Sequence, residues 1–528
     1  MGPQAAWRLG RLAAMGDDRR RHGELVVVAG AGAGAAAGLA LPPLGWLPLL
    51  WPALAVLWGL VGSPPSAGRA AAAGAFAWGL AAVLVSHRWL LWLHPLDWIG
   101  VPAPLSLPVC LLLWLLVGSC GGALVLLWLL VLRRLDPARP ESALLGAALW
   151  GLAEVWLARG PLFWIGLGSA PLPGDRSLAG VAALGGAGLV AALQLAIGWA
   201  LLRAVAAPPR RRSALALALL LAVAGHLGGA AALAAAEGEG GPRERLLVVQ
   251  PAIPTREKFS AHSQSQLLRQ LERAQASLAG QVGEVGAAGA PGGGPGSAPP
   301  AAVQSLLLPE GALATGQRLP GPAPVEVLSG GFRQQGEGLR SSLLRFPEGA
   351  SVPAGWIDKH RVVPLGEWVP LAGLLRWSGL SAVGGVEPGA ASRLLPRPAG
   401  AVGVAICYEL ADGASLAEAS RAGARWLLAS ANLDPYPALL QGQFAALARL
   451  RAIESGRWLV SAANTGPSLV VDASGRLRQQ LPPSRSTSGV MTLEQRSGLT
   501  PYVRWGERPL IVLALLGGGL RLRSARRG

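Results

Sequence analysis

The sequence predicts a polytopic α-helical membrane bundle joined to an α/β domain held outside the cytoplasm. Three observations carry this. The 528 residues are 52% hydrophobic and only 14% charged, against about 25% charged in an ordinary soluble domain. Apolar runs long enough to cross a bilayer crowd the first 240 residues. Beyond them, short strand-like runs alternate with helical stretches, the pattern of an α/β unit.

Residues 1–23 are a basic leader with Arg8, Arg11, Arg19, Arg20 and Arg21. Further apolar runs follow at once, so the leader reads as a cytoplasmic flank and not as a cleaved signal. Residues 24–240 hold seven runs, near 24–41, 43–62, 70–93, 105–132, 142–158, 178–206 and 213–236. Most reach the ~17–25 residues that a membrane helix needs. The loops after the second, fourth and sixth runs carry Arg69, then Arg133, Arg134 and Arg139, then Arg203, Arg210, Arg211 and Arg212. Those after the third and fifth carry only Arg88, Arg159 and Arg176. Arginine marks the cytoplasmic side, so seven crossings are expected to place the chain beyond residue 240 outside the cytoplasm. The net charge of +17 is therefore a topology signal. The interleaved aromatic and basic residues of a nucleic-acid binder are missing, and no nucleic-acid partner is expected.

Residues 244–500 are expected to form one α/β domain. Its strand-like runs are 245–250, 305–310, 403–407, 425–430, 458–464 and 468–475, with helices over 263–279 and 438–455. Residues 280–301, "GQVGEVGAAGAPGGGPGSAPPA", are low in complexity and read as a flexible surface insertion. Residues 502–520 are long enough for an eighth membrane helix, and the tail 521–528, with Arg521, Arg523, Arg526 and Arg527, reads as its cytoplasmic anchor.

Three polar residues follow strand-like runs in the second half: Glu310, Lys359 and Cys407, 49 and 48 residues apart. Singly, each has an ordinary explanation as a strand-end charge, a solvated loop residue and a small buried hydrophobe. Together they form a device for acyl chemistry. A thiol is mostly protonated at neutral pH and needs a base and a positive neighbour before it attacks a carbonyl. A carboxylate takes the proton, and an ammonium stabilises the thiolate and then the oxyanion. None of the six histidines is placed to act as a papain-like partner. The other two cysteines, Cys110 and Cys120, share one apolar run, so no disulfide framework is expected. Only two of the 46 basic residues are lysines, Lys258 and Lys359, which singles both out in a chain that otherwise uses arginine. Nothing suggests a metal site, a nucleotide loop or another cofactor.

Glu, then Lys, then Cys at strand ends resembles the triad of the carbon–nitrogen hydrolase (nitrilase-like) superfamily. Further segments resemble its membrane branch, apolipoprotein N-acyltransferase, along nearly the whole chain. They are "VVQPAIPTREKF" (248–259), "KHRVVPLGEWVP" (359–370), "AICYE" (405–409), "RAIESGRWLVSAANTG" (451–466) and, in the membrane part, "WGLAEVWLARGPLFWIGLG" (150–168). Two places depart from the family pattern. Phe259 stands where many members carry tryptophan, and "ANLDPYP" (431–437) replaces an Asn-Asp-x-Trp-Phe pattern.

The resemblance implies an α-β-β-α sandwich and transfer of a fatty acyl chain. The donor would be a phospholipid, and the acceptor the N-terminal amine of a diacylglyceryl-cysteine apolipoprotein. Glu310 would be general base, Lys359 the oxyanion and thiolate stabiliser, and Cys407 the nucleophile that becomes a thioester. Glu367 and Glu409 would support the lysine or the acceptor amine, or else form structural salt bridges. Tyr408 would position the site, and Asn464 would shape a nearby turn. Phe259 would line the substrate path. Glu154 and Arg159 would pair to hold the bundle or meet a lipid headgroup. The expected setting is a monomer in a bacterial plasma membrane, facing the periplasm, that completes lipoprotein maturation. A membrane-tethered amidase or nitrilase that releases the thioester to water shares the same triad and stays open at this point.

Overall fold

The computed structural model describes residues 3–97, 101–238, 240–258, 260–288, 302–364, 367, 385–434 and 436–527. Phe259 and residues 289–301 lie outside these. The first half is helical: α1 (Pro3–Ala40), α2 (Leu50–Val61), α3 (Gly68–Ser86), α4 (Ala103–Arg133), α5 (Pro140–Ala158), α6 (Arg176–Ala179), α7 (Ala182–Ala206) and α8 (Arg211–Glu237). Among the described residues, six segments are long and apolar enough to cross a membrane. They are Arg21–Ala40, Pro65–Ser86, Ala103–Arg133, Pro140–Ala158, Ala182–Ala206 and Pro208–Glu237. The second of the seven expected runs differs. It forms a 3-10 turn at Leu47–Leu49 and the 12-residue α2. Pro42, Pro43, Gly45 and Pro48 interrupt its first part, and proline removes a backbone donor that a helix needs. Elsewhere the helices approach closely over small residues, as at Gly79 on α3, where a Cβ would lie 2.5 Å from the Gly121 carbonyl oxygen on α4.

The second half is a helix–sheet–sheet–helix sandwich. Its strands are β1 (Arg243–Gln250), β2 (Ser305–Leu313), β3 (Glu326–Gln335), β4 (Gly338–Phe346), β5 (Gly355–Asp358), β6 (Leu394–Leu395), β7 (Val402–Ile406), β8 (Trp426–Ala431), β9 (Leu459–Ala463), β10 (Leu469–Val471), β11 (Leu477–Gln480) and β12 (Thr487–Glu494). One sheet runs β12-β1-β2-β3-β4-β5, the other β11-β10-β9-β8-β7-β6. β1, β2 and β3 are parallel, as are β7, β8 and β9, and the outer pairs are antiparallel.

Alternation along β1 and β2 assigns their faces. Leu246, Val248 and Leu307 point into the core between the sheets with Val404, Ile406 and Leu428. Leu247, Val249, Leu306 and Leu308 point the other way, onto Leu267 and Leu271 of α9 (Ala261–Ala288). The helix α9 continues through Ala288, so the first nine residues of the expected insertion, 280–288, are helical. α10 (Gly413–Arg421) and α11 (Ala438–Ser455) cover the second sheet, with Leu416, Phe444 and Leu447 in the same core as β7 to β9. Then α12 (Pro501–Trp505) turns the chain and α13 (Arg508–Arg527) packs antiparallel on α5. Arg521 Nε donates to Leu135 O at 2.8 Å and Ser524 Oγ to Glu141 Oε1 at 3.1 Å.

Candidate active site

Four elements of the sandwich deliver the polar residues to one end of the two sheets. Glu310 lies within β2, which runs on past it to Leu313. Burial alone would push its carboxyl up. The Lys359 ammonium, its hydrogen bond and the Lys258 charge outweigh that and hold it below the usual range. Its Oε1 accepts from Lys359 Nζ at 2.8 Å and its Oε2 from the Asn432 N–H at 3.0 Å.

Lys359 follows β5 and is only 1% exposed. Its Nζ also donates to Glu367 Oε1 at 2.7 Å. Two buried carboxylates therefore share one ammonium. Burial, and then the Glu310 charge, push the Glu367 carboxyl up, so the pair keeps Glu310 ionised and leaves Glu367 the readier to hold a proton. Burial opposes the charge on Lys359, but the two carboxylates hold it well above an ordinary lysine.

Cys407 stands at the sharp turn from β7 into a 3-10 helix, Cys407–Ala411, with φ +55°. A non-glycine residue in the left-handed region costs about 1–3 kcal/mol and persists where the surroundings impose it. Here Glu409 imposes it. Its Oε2 accepts from the Ile406 N–H at 2.8 Å, and its Oε1 from the His360 and Arg361 N–H groups at 2.7 and 3.0 Å. Arg393 Nη1 binds both oxygens at 3.0 and 2.8 Å. One buried carboxylate thus clamps the cysteine turn to the lysine loop, and its lone pairs are taken by the protein.

Burial, and then the Glu310 charge, push the Cys407 thiol far up; Lys359 and a hydrogen bond from the Tyr408 N–H pull it down. At rest the sulfur is a thiol. It needs a base at the moment of attack, and the ionised Glu310 is there to accept the proton. The Tyr408 hydroxyl donates to Val362 O at 3.0 Å. Its ring lies under the Lys359 and Arg361 cations at 5.9 and 5.2 Å, and burial raises its hydroxyl to about 12. That fits positioning and not proton transfer. Asn464 Oδ1 accepts from the Ile253 N–H at 3.0 Å, and its Nδ2 donates to Ile253 O and Asn432 Oδ1 at 2.7 and 2.9 Å. It holds the turn after β1 against Asn432, the residue that follows β8.

Glu154 and Arg159 do not pair with each other. Glu154 Oε1 accepts from Trp150 Nε1 and the Leu167 N–H, both at 2.8 Å, and its Oε2 from the Gly168 N–H at 3.2 Å. Arg159 reaches Glu507 at 2.9 Å and Asp412 at 3.7 Å. The break between α5 and the next turn supplies free N–H groups that Glu154 satisfies, which leaves Arg159 for the sandwich.

Several site residues are given no role by the sequence, although some lie in the segments quoted from it. Lys258 Nζ donates to the Glu310 carbonyl at 2.7 Å, so both lysines of the chain converge on one glutamate. Burial lowers Lys258 to about 8, against the raising pull of Glu310, Asp434 and Cys407. Tyr436, Trp89, Phe163, His87 and Trp164 form an aromatic row, with ring contacts at 5.7 Å for Tyr436–Trp89, 5.9 Å for Trp89–Phe163, 6.5 Å for Phe163–His87 and 5.5 Å for His87–Trp164. The row leads from beside Cys407 to an apolar cavity of about 250 Å³ between α1, α3, α4 and α5. Among the described residues no cluster of His, Cys, Asp and Glu is grouped to hold a metal ion.

Residues 33–200 match the family described as "Apolipoprotein N-acyltransferase N-terminal domain", and residues 342–500 match "Carbon-nitrogen hydrolase". Glu310 and Lys258 lie ahead of the second match. The chain is 46% identical to the apolipoprotein N-acyltransferase of Prochlorococcus marinus (strain MIT 9313), over 97% of this chain and 98% of that one. It is 45% identical to that of Parasynechococcus marenigrum over 94% and 100%, and 32% identical to that of Gloeobacter violaceus over 97% of each. Among solved structures it is similar to Saccharomyces cerevisiae Nit3, a member of branch 10 of the nitrilase superfamily, at 15% identity and a TM-score of 0.34 over 48% of this chain and 90% of that one.

Proposed function

This chain belongs to the apolipoprotein N-acyltransferase family, and we propose from that premise that Cys407 carries the acyl group as a thioester between two lipid substrates. Glu310 takes the Cys407 proton as the sulfur attacks the ester carbonyl of a phospholipid. Lys359, with the Tyr408 N–H, faces the oxyanion that forms. Collapse expels the lysophospholipid alkoxide, which takes the proton from Glu310. The α-amino group of a diacylglyceryl-cysteine apolipoprotein then attacks the thioester, and Glu310 receives the ammonium proton. Collapse now releases Cys407 as thiolate, and Glu310 reprotonates it. Atoms and charge close over the cycle, which is ping-pong.

The observation that carries this reading is the buried Cys407, Glu310 and Lys359 set, with the thiol kept protonated beside an ionised carboxylate. The aromatic row and the cavity beyond it suit the donor's acyl chain: the lining is apolar apart from His87, Glu154 and Ser86. We place the sandwich on the periplasmic side of a bacterial plasma membrane, where exported lipoproteins meet phospholipid, with the chain acting as a monomer.

The test is intact-protein mass spectrometry after incubation with phospholipid. An acyl adduct on Cys407 that a diacylglyceryl peptide discharges is the expected result. An adduct that persists in Cys407→Ala would sink the nucleophile assignment. Discharge to water as fast as to peptide would favour an amidase.

A further inference from the structure

We propose that the cleft between the end of α10 and the start of α13 binds the anionic headgroup of a membrane glycerophospholipid, at a site separate from Cys407. This cleft, of about 380 Å³, is lined by Arg421, Arg504, Trp505, Glu507, Arg508 and Ile511, together with Gly506. None of these residues belongs to the set around the thiol.

The charge balance is the first argument. Among the described residues, Arg421, Arg504 and Arg508 pair with no carboxylate. Arg421 Nε donates to Val503 O at 2.7 Å, which fixes the side chain and leaves its Nη groups free of that bond. Glu507 is the one carboxylate in the lining, and its Oε1 already accepts from Arg159 Nη2 at 2.9 Å and the Tyr502 hydroxyl at 3.0 Å. A fourth arginine thus offsets Glu507, and three positive charges are left facing the cleft. Glu418, three residues before Arg421, opens onto the adjoining cleft with it. Three guanidinium forks around one opening suit a phosphate, which they can bind in pairs of parallel hydrogen bonds.

The second argument selects a lipid over a free anion. α13 is antiparallel to α5, so this cleft lies at the catalytic-domain end of the bundle. Arginine is otherwise sparse in the loops at that end. Trp505 is 55% exposed beside the arginines, the placement of an interfacial anchor. Directly along the helix, Ile511, Val512, Leu515 and Leu516 are 45–70% exposed. Their i, i+4 spacing makes one apolar face that continues from the cleft into the membrane-facing surface. A soluble anion uses the arginines alone. A phospholipid uses the arginines and then the apolar face.

The test is native mass spectrometry of the full chain released from detergent. It is performed on Cys407→Ala as well as on the parent, so that acyl transfer does not consume the lipid and failure of the thioester reading leaves this result standing. Phosphatidylglycerol is expected to bind one to one in preference to phosphatidylcholine of the same chains. Each arginine near an anionic headgroup is worth about fivefold in affinity, so Arg421→Gln/Arg504→Gln/Arg508→Gln should lose about 100-fold. The corresponding triple lysine variant should stay within about fivefold of the parent. If the triple glutamine variant is not monodisperse, Arg504→Gln alone should show the fivefold loss. Equal binding of phosphatidylcholine, or unchanged phosphatidylglycerol binding in the glutamine variants, would overturn the proposal. Displacement by sn-glycerol 3-phosphate at concentrations matching the lipid's would overturn the lipid in favour of a soluble anion.

Discussion

Lys359 is held between Glu310 and Glu367, at 2.8 and 2.7 Å, where a compact ammonium fits between two carboxylates. A guanidinium is larger, planar and suited to bidentate pairing, so Lys359→Arg should pair with the glutamates and displace the thiol. Loss of one oxyanion donor costs about 100–1000-fold in rate. Lys359→Arg is therefore expected to insert normally but to lose at least about 100-fold in transfer from labelled phospholipid to a diacylglyceryl peptide. Retention of a third of the parent rate would withdraw the role. Lys258 gives a pH signature. Its folded value of about 8 lies below the ordinary 10.5, so the folded protein carries the cost of burying an ammonium at neutral pH, and that cost is relieved as pH rises. The stability of the parent relative to Lys258→Met should therefore rise between about pH 8 and 10.5. Transfer by the parent should fall as pH rises through about 8, where the folded protein loses the cation beside Glu310, and Lys258→Met should show no such fall. A flat difference in both readouts would make Lys258 a spacer. Glu310, Lys359 and Cys407 stand out in sequence because each is a polar residue at the end of an apolar run. The clamp by Glu409 and Arg393, and Lys258 against Glu310, cannot be read there, because each joins residues 16 to 52 positions apart with no spacing rule.

At the scale of elements, the strands that the sequence reveals are those buried on both faces, where the apolar run is continuous. β3, β4, β11 and β12 are polar on one face or at one end, as in "FRQQ" (332–335) at the end of β3, and they escape a search for apolar runs. The break in α7 escapes for the opposite reason: Gly185 and Gly186 sit in an unbroken Ala-, Leu- and Gly-rich run. There Gly186 takes φ +74°, and the freed Ala187 N–H donates to Glu454 Oε1 of α11 at 2.8 Å. The carboxylate acts as a helix cap supplied from the other half of the chain. At Gly186 a Cβ would lie 2.5 Å from the Tyr502 ring, and its φ +74°, ψ 178° backbone is essentially restricted to glycine, costing another residue about 1–3 kcal/mol before any clash. Gly186→Ala should therefore lower the thermal midpoint in detergent. Gly518→Ala on α13, where a Cβ meets nothing within 4 Å, should leave it unchanged or raise it, by up to about 1 kcal/mol in helix propensity. Equal shifts for the two would remove the special status of the α7 break.

Across the whole molecule, the sandwich is fastened to the bundle at several points by polar bonds. Gln443 Nε2 donates to Ser86 O at 2.9 Å, Arg361 binds Ala158 O at 2.7 Å and also Gly160 O, and Arg176 reaches Ser474 Oγ at 2.8 Å. The ends of α3 and α5 and the start of α6 that make these contacts therefore lie at the same end of the bundle as the catalytic residues. The opposite end of the bundle carries Arg133, Arg134, Arg139, Arg203, Arg210, Arg211 and Arg212, and the tail of α13 packs there against Leu135 and Glu141. Arginine excess marks the cytoplasmic face, so the sandwich is expected outside and the tail of α13 inside. That decides whether lipoprotein maturation is possible at all, because the acceptor has already been exported. Single cysteines at Glu348, an exposed loop position of the sandwich, and at Arg526, an exposed position of the tail, can be introduced into a chain whose native cysteines are alanine. A membrane-impermeant maleimide added to intact cells with a permeabilised outer envelope should label position 348 and spare position 526 until the plasma membrane is breached. The reverse pattern would invert the chain in the membrane and take the acyltransferase assignment of the site with it.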